Sequence, residues 1–315
     1  MTVTFTGQER KTLRVLTGFY TFDRAFKNKK GDIGLPIRGM SEISGYPGVG
    51  KSTLAYTLGG IIASQLNANI ALSDLEDHLD PDFMGTVLSN AGFLGNVYNA
   101  KGALDHEKLE DMLKKLKAED YAVGIIDSVG AISPVSEAEG GLEDASMGRR
   151  AKLVAIMARR AIKIGSIKDT PLIVFTTNHV HQVMGGRGTT TSGGVVKDYL
   201  STTRMRISIK ETFDDGSSLI GGKVDKNSFG FGKRTFFLFN LAGYGIHAGL
   251  TAMYDCIMLG IAKSDRTIKL GDTSFGYPKK IIEVAEDQEM FVPFINALKE
   301  RSEQNTVSIT EEADE

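Results

Sequence analysis

The sequence contains a single cysteine, Cys256, and this scarcity excludes two kinds of site. One thiol cannot close an intramolecular disulfide, and it cannot supply the several cysteines of a typical zinc site. Disulfides belong to oxidising compartments, so their absence fits a reducing cytoplasm. We expect Cys256 to fill space in the core.

The sequence also lacks a long apolar run and an excess of charge. No uninterrupted apolar segment reaches the roughly 18 residues of a membrane-spanning helix, and residues 1–11 lack the apolar region of a signal peptide. The formal net charge is −2, so no global positive excess attracts nucleic acid. We therefore expect a soluble, cytoplasmic protein without a membrane partner, in which any attraction to DNA is local.

A glycine-rich run is the strongest signal in the chain. Residues 45–53 fit the pattern G-x-x-x-x-G-K-[ST] between an apolar-ended strand and a helix pattern. Such a loop turns its backbone N–H groups toward phosphate oxygens, so we expect it to bind ATP with Mg²⁺. Lys51 supplies a charge for the β- and γ-phosphates, and the Ser52 hydroxyl can ligate the metal. The predicted nucleotide-binding residues are Gly45, Tyr46, Pro47, Gly48, Val49, Gly50, Lys51, Ser52 and Thr53.

Strand and helix patterns alternate after this loop. Strands are predicted at 69–74, 95–98, 121–127 and 171–177, and helices at 54–65, 80–92 and 104–119. This alternation predicts an α/β fold with a mostly parallel central sheet flanked by helices. Later strands are expected at 204–210 and 234–241, with turns at 216–227 between them. Helices are expected at 250–262 and 280–301.

Carboxylates follow two of these strands, at the edge of the sheet where ligands bind in open α/β folds. Asp127 ends a buried strand and is expected to hold Mg²⁺, usually through water; a residue that merely caps the next turn is the alternative. A second carboxylate can orient and deprotonate the water that attacks the γ-phosphate. Spacing alone leaves the choice open among Asp74, Glu76, Asp77 and Asp80.

Two later segments have the composition of DNA-binding surfaces. Residues 146–168 contain seven Lys or Arg and no acid, and at helical spacing one basic stripe lies beside an apolar stripe. A solvated basic face is the alternative interpretation. Residues 184–195 contain five glycines, and such a loop can order on a DNA phosphate or serve as a flexible linker. The basic stripe contains Arg149, Lys152, Arg159 and Lys163, and the apolar stripe Leu153, Met157 and Ile164.

Several short runs together resemble the RecA/RadA/UvsX family of ATP-dependent DNA recombinases. They are Gly-Leu-Pro-Ile-Arg-Gly at 34–39, Asp-Leu-Glu-Asp-His-Leu-Asp-Pro at 74–81 and Ile-Asp-Ser at 126–128. Asp-Ala-Ser-Met-Gly at 144–148, Thr-Thr-Asn-His at 176–179 and Thr-Thr-Thr-Ser-Gly-Gly at 189–194 continue the match. The matches run in order from about residue 15 to about residue 260. The resemblance implies a RecA-type P-loop ATPase core that assembles on DNA.

The resemblance also assigns roles to individual residues. It singles out Glu76 as the catalytic glutamate and places Asp80 and Phe83 near the adenine, with Phe83 where the family usually has tyrosine. His179 corresponds to a polar residue that senses the γ-phosphate, and Lys226 to a cation that reaches ATP on the next subunit. Ser228 stands where the family has a second cation, so Lys233 or Arg234 are substitutes for that role. The implied DNA contacts are Met147, Gly148, Arg149, Lys152 and Arg159 in the first loop and Arg187, Gly193 and Gly194 in the second.

From these residues we expect a DNA-dependent ATPase that forms filaments on single-stranded DNA and promotes pairing and strand exchange with double-stranded DNA. A ring-forming RadA-like motor and a non-catalytic recombination mediator are the alternatives. Four segments are expected: a short N-terminal segment at 1–30, an ATPase core at 31–262, a small C-terminal region at 263–301 and an acidic disordered tail at 302–315. Phe22-Asp-Arg-Ala25 fits the F-x-x-A pattern of subunit docking, but we interpret it as part of a core helix.

Overall fold

The structure is a computed structural model, and it describes residues 12–132, 147–182, 189–191 and 200–311. The helices are α1 Tyr20–Ala25, α2 Lys51–Gln65, α3 Pro81–Asn90, α4 Asp105–Lys115, α5 Met147–Ile167, α6 Ala248–Met258, α7 Pro278–Glu283 and α8 Val292–Glu311. Short 3-10 helices lie at Val129–Ala131 and Gln288–Phe291.

The strands occur in three sheets. They are β1 Arg14–Val15, β2 Leu35–Pro36, β3 Gly39–Gly45, β4 Asn69–Asp74, β5 Val97–Asn99, β6 Tyr121–Asp127, β7 Ile173–Gln182, β8 Thr189–Thr191, β9 Ser201–Thr212, β10 Ser218–Asn227, β11 Thr235–Leu241, β12 Gly245–Ile246, β13 Ala262–Ser264, β14 Ile268–Leu270 and β15 Thr273–Gly276. Over the described ranges the central sheet has ten strands, in the order β12-β11-β10-β9-β3-β7-β6-β4-β5, with β8 paired to β7.

Most of the central sheet is parallel, and the remainder is antiparallel. The six strands from β9 to β5 pair in parallel, as alternating strand and helix patterns require. From β9 to β12 the pairing is antiparallel, since hairpins replace the helical crossovers. The prediction of a mostly parallel α/β sheet is confirmed, and the parallel part places the carboxyl ends of β3, β4, β6 and β7 along one edge.

Helices cover both faces of this sheet. On one face, Leu54, Leu58 and Ile62 of α2 pack in the same core cluster as Ile43 and Phe175 of the strands. On the other face, α4 and α5 pack against strand residues such as Met40, Ile126 and Val174. A third cluster joins α6 and α8 to β11 through buried aromatic residues that include Phe239, Phe291 and Phe294.

The N-terminal F-x-x-A pattern lies on α1, and its residues are buried within this chain. Phe22 has no exposed surface and Ala25 is 2% exposed. The Phe22 ring lies 4.9 Å from the Phe236 ring and 5.0 Å from the Phe26 ring, centroid to centroid. These contacts agree with the interpretation of the segment as a core helix.

Several segments differ from their predictions. The segment 216–227, predicted as turns, is largely strand β10. Gly221 and Gly222 interrupt the alternation of apolar and polar residues that would have predicted a strand. The Phe236 ring covers Gly222, where an added Cβ would lie 2.0 Å from Cζ of Phe236. The predicted helix at 280–301 is split into α7, a 3-10 turn and α8, since Asp287 accepts a hydrogen bond from the Glu289 N–H at 3.1 Å and starts a new turn.

Strands β13 to β15 were not predicted, although the Gly271-Asp272 pair between Leu270 and Thr273 is a two-residue hairpin signal. Helix α8 continues to Glu311 and so includes residues 302–311 of the segment that was expected to be a disordered tail. No helix of the described ranges has both the length and the apolar character needed to cross a bilayer.

Candidate functional site

The glycine-rich loop connects β3 to α2 in the parallel part of the sheet. Gly48 and Gly50 have φ angles of 74° and 84°, a region that side chains disfavour, so the turn depends on glycine at both positions. An added Cβ at Gly45 would lie 2.7 Å from the Ile207 carbonyl oxygen. Gly50 is the N-cap of α2 and has no side chain to occupy the first N–H groups of the helix. The loop is therefore a cradle of backbone amides at a helix N-terminus, which fits a phosphate group.

Lys51, the first residue of α2, folds back over this cradle. Its Nζ donates a hydrogen bond to the Tyr46 carbonyl oxygen at 3.0 Å, and the residue is 7% exposed. Burial lowers the pKa of the Lys51 ammonium, and the charges of Asp127 and Glu76 partly offset that effect. The ammonium thus lies in the electrostatic field of both carboxylates that the sequence predicted for this edge.

Asp127 ends β6 and is fixed by two hydroxyl groups. Its Oδ1 accepts a hydrogen bond from Thr177 Oγ1 at 2.5 Å, and its Oδ2 accepts one from the Tyr56 hydroxyl at 3.3 Å. Burial, and then the Asp127 charge, raise the pKa of the Tyr56 hydroxyl, so that group remains a donor. The described residues contain no cluster of three or more His, Cys, Asp or Glu that could hold a metal. One carboxylate with the Ser52 hydroxyl fits Mg²⁺, which prefers few protein ligands besides phosphate and water.

Glu76 lies at the same edge and accepts two hydrogen bonds through one oxygen. The donors to its Oε1 are the Ser128 hydroxyl and, at 3.3 Å, His179 Nε2. Burial acts to raise the pKa of the Glu76 carboxyl, but the hydrogen bonds from Ser128 and His179 and the charges of His179 and Lys51 together lower it. The His78 ring approaches the other oxygen at 3.9 Å. The carboxylate is therefore ionised, and it lies at the carboxyl ends of β4 and β6, in contact with His179 of β7.

The other three acids of this loop have structural partners. Asp74 accepts hydrogen bonds from the N–H groups of Glu76 at 3.2 Å and Leu79 at 3.0 Å, and so shapes the loop. Asp77 pairs with Lys108 at 2.6 Å. Asp80 is the N-cap of α3 and accepts a hydrogen bond from the Phe83 N–H at 3.1 Å. Of the four competing carboxylates, Glu76 is the one that faces Ser128 and His179.

Comparison with known proteins agrees with this geometry. The family model of the RecA N-terminal domain matches residues 4–229, which is most of the chain. The chain belongs to the RecA family. Protein RecA of Pseudomonas putida is 32% identical over 197 residues, which cover 61% of this chain and 53% of that protein. Protein RecA of Streptomyces venezuelae is 31% identical over 196 residues, 61% of this chain and 50% of that protein. The chain thus spans about half the length of the curated relatives it matches.

The predicted adenine contacts of this RecA-family chain lie on α3. Asp80 is exposed and uses Oδ1 to cap the helix. Phe83 is half-buried and packs against the core cluster that α2 shares with the sheet. Both residues lie at the N-terminal end of α3, directly after the loop that follows Glu76. Adenine binding by them stays a prediction.

Lys226 lies on β10 and not in a turn. Its strand partner is Arg204 of β9, and β9 in turn pairs with β3. The next residue, Asn227, anchors the segment to the N-terminal region, because its Nδ2 donates to the Phe26 carbonyl oxygen at 3.4 Å. Lys226 therefore lies two strands from β3, which leaves open the prediction that it serves a neighbouring subunit.

The predicted DNA-binding residues are only partly described. Lys152 and Arg159 are exposed on α5, while Met157 and Ile164 of the same helix are buried, as the two-stripe pattern predicts. Met147, Gly148 and Arg149 form the first turn of α5. Arg187, Gly193 and Gly194 lie outside the described residues. DNA binding by these residues stays a prediction.

Sequence reasoning missed several residues that shape the RecA-family site. Ser128 and Thr177 were recognised only as parts of matching runs, but they bind the two central carboxylates. Tyr56 was missed, although its position one turn and a half after Lys51 in α2 was a usable signal. Glu42 was also missed: a carboxylate within an otherwise buried strand marks a polar partner across the sheet.

Proposed function

We propose that this chain is a DNA-dependent ATPase that assembles as filaments on single-stranded DNA and promotes homologous pairing and strand exchange. The observation that carries the proposal is the placement of Glu76 between Ser128 and His179 at the strand edge that also presents Lys51 and Asp127. Membership of the RecA family supports it. ATP and Mg²⁺ are the ligands that this arrangement fits, and family membership supports DNA as the partner.

In this proposal each residue of the edge has one task. The amides of residues 45–53 and the Lys51 ammonium bind the phosphates, after Lys51 leaves the Tyr46 carbonyl. Ser52 and Asp127 hold Mg²⁺, which supplies charge neutralisation at the phosphate oxygens. Glu76 accepts a proton from the attacking water, and its lowered pKa keeps it ionised for that task. His179 contacts Glu76, so a change in the position of Glu76 when the γ-phosphate is present or absent moves His179 and the segment after β7.

The remaining predicted residues act between molecules. Lys226 supplies positive charge to ATP held by the adjacent subunit, as an arginine finger does. Lys152 and Arg159 on the exposed face of α5 bind DNA phosphates, together with residues of the segments at 133–146 and 183–199. ATP between subunits then favours the assembled, DNA-competent state.

The first test is ATP hydrolysis with and without single-stranded DNA, with electron microscopy of the same samples. We expect DNA to stimulate turnover and helical filaments to form, and Glu76→Gln to slow turnover by about 100-fold or more because a proton acceptor is removed. Glu110→Gln, which neutralises an exposed carboxylate on α4, is the matched control and should leave turnover unchanged. Closed rings instead of filaments would favour a DNA motor. ATPase activity indifferent to DNA, without assembly, would overturn the proposed function.

A further inference from the structure

A buried carboxylate links three strands just before the glycine-rich loop. Glu42 of β3 is 1% exposed. Its Oε2 lies 3.5 Å from Arg204 Nε on β9, and its Oε1 lies 3.4 Å from Asn178 Nδ2 on β7. A buried charge is costly unless it is paired, so this carboxylate depends on both neighbours. These side-chain contacts join β9, β3 and β7, which also pair through their backbones.

Each of the tied strands carries part of the site. Glu42 lies three residues before Gly45, where the phosphate cradle begins. Asn178 immediately precedes His179, whose ring contacts Glu76. Arg204 is the strand partner of Lys226 on β10. A connected set of residues, the Glu42 row, therefore runs from Lys226 through Arg204 and Glu42 to Asn178. Asn178 lies two residues further along β7 than the register partner of Glu42.

We propose that Glu42 is a positioning residue that holds His179 and Lys226 in a fixed relation to the phosphate cradle. The proposal rests on the proposed function, in which His179 and Lys226 act on ATP. A shift of β7 toward the phosphates moves Asn178 and pulls on Glu42, and Arg204 passes the shift to β9 and β10. Such a contiguous set of side-chain contacts and backbone pairings is a physical route for coupling between two sites.

The opposite face of the same strands offers a matched control. Ser41, next to Glu42 on β3, accepts a hydrogen bond from Thr203 Oγ1 of β9 at 2.7 Å, and both residues are fully buried. This pair also ties β3 to β9, but it carries no charge and does not involve Asn178. If the Glu42 row merely stabilised the sheet, removal of the Ser41 pair would have the same effect on catalysis.

The test compares four single variants and one double variant with the intact chain, with saturating single-stranded DNA present. Glu42→Gln keeps the size of the side chain and an oxygen that can accept from Asn178. It removes the negative charge that pairs with Arg204. We expect its Kd for Mg–ATP to stay within about twofold and its kcat to fall about tenfold. Ser41→Ala should keep kcat within about twofold. Arg204→Lys, which keeps the charge, should lose less activity than Glu42→Gln.

The fourth variant makes coupling measurable. His179→Ala should lower kcat alone, and Glu42→Gln combined with His179→Ala should lose less activity than the product of the two single losses, since the two substitutions share the route through His179 and only the route through Lys226 stays separate. A double variant whose loss equals the product of the two single losses would overturn the positioning role. So would a Glu42→Gln variant that folds, by circular dichroism, and turns over like the intact chain.

A second measurement separates this proposal from the proposed function. The side-chain NMR signal of His179, assigned by its absence in His179→Ala, should shift in Glu42→Gln and stay in place in Ser41→Ala. An unmoved signal in Glu42→Gln overturns the proposal even if the intact chain hydrolyses no ATP. Turnover that DNA does not stimulate counts against the proposed function alone, because the NMR comparison needs neither turnover nor DNA.

Discussion

At the scale of single residues, a buried carboxylate far from the glycine-rich loop determines how stability depends on pH. Asp255 of α6 is fully buried and accepts two hydrogen bonds from Thr21 of α1, at 2.6 Å from the hydroxyl and at 3.0 Å from the N–H. Burial raises the pKa of the Asp255 carboxyl to about 7 in spite of these donors, and the nearby charge of Asp23 raises it further. The folded protein therefore holds a proton on Asp255 that the unfolded chain releases near pH 4.

This shift predicts that stability falls as pH rises. Because the folded pKa is above the unfolded one, the contribution is fully present below about pH 4 and is lost as pH rises through about 7. We expect the free energy of unfolding to fall by roughly 2 kcal/mol between pH 5 and pH 7.5 from this group. Urea unfolding at the two pH values measures it.

Asp255→Asn is the control for that pH dependence. The amide cannot titrate, so the variant should lose most of the decrease, while Asp23, whose pKa is raised to about 6 by burial, retains a smaller one of the same sign. An unchanged pH dependence in the variant would assign the effect to other groups.

At the scale of helices and strands, one lysine holds the end of α4 to the sheet. Lys168, just after α5, is 4% exposed, and its Nζ donates to the carbonyl oxygens of Leu116 at 3.0 Å, Ala118 at 2.5 Å and Tyr121 at 2.5 Å. These carbonyls belong to the connection from α4 to β6, where helix-end oxygens lack helical partners. The ammonium thus fixes the start of the strand that ends in Asp127.

Lys168→Met should lower the free energy of unfolding by about 2–4 kcal/mol, because three buried carbonyl groups lose a charged donor. Lys117→Met, at an exposed lysine of the same connection, should change it by less than about 0.5 kcal/mol. Thermal and urea unfolding measure both variants. Equal stability of the two would mean that water satisfies the freed carbonyls.

The exposed face of α5 makes a separate prediction about DNA. Lys152→Ala with Arg159→Ala should weaken binding to single-stranded DNA and reduce the slope of log affinity against log salt by roughly 0.7 for each phosphate that the variant no longer neutralises. Arg160→Ala is the matched control, since Arg160 is exposed on the same helix but pairs with Glu110 at 2.6 Å. Fluorescence anisotropy at several salt concentrations measures both variants. An equal loss of affinity per substituted charge in the two variants would indicate an effect of general charge and not of a specific face.

Over the whole molecule, sequence patterns predicted the parts of the fold in which local and long-range order agree. The glycine-rich loop, β4 and β6 were placed correctly because apolar runs end in chemically distinctive residues such as Asp74 and Asp127. Strand β7 was located, but it continues to Gln182, beyond the predicted end at residue 177. Strand β10 was not, since Gly221 and Gly222 remove the alternation and only the Phe236 ring of the next strand explains them. Pairings such as Glu42 with Arg204 join residues far apart in sequence, and no local pattern specifies them.

The choice among Asp74, Glu76, Asp77 and Asp80 illustrates the same limit at the site. All four lie within one loop, and their roles separate only when Ser128 and His179 arrive from other strands. Spacing therefore located the edge of the sheet, and tertiary contacts identified the carboxylate that faces the cradle. The family resemblance had singled out the same residue.

The proposed assembly of several copies gives the last prediction, because in that proposal Lys226 serves a neighbouring subunit and Glu76 serves its own. Lys226→Ala and Glu76→Gln should each be nearly inactive alone. In an equal mixture, roughly a quarter of the interfaces pair an intact Glu76 with an intact Lys226, as head-to-tail contacts require, so turnover should recover to roughly a quarter of the intact value. The DNA-stimulated ATPase rate of the mixture, against the sum of the separate rates, measures this. No recovery would place Lys226 in its own subunit's site, and full activity of Lys226→Ala alone would transfer the role to Lys233 or Arg234, which the corresponding alanine variants in the same mixture would identify.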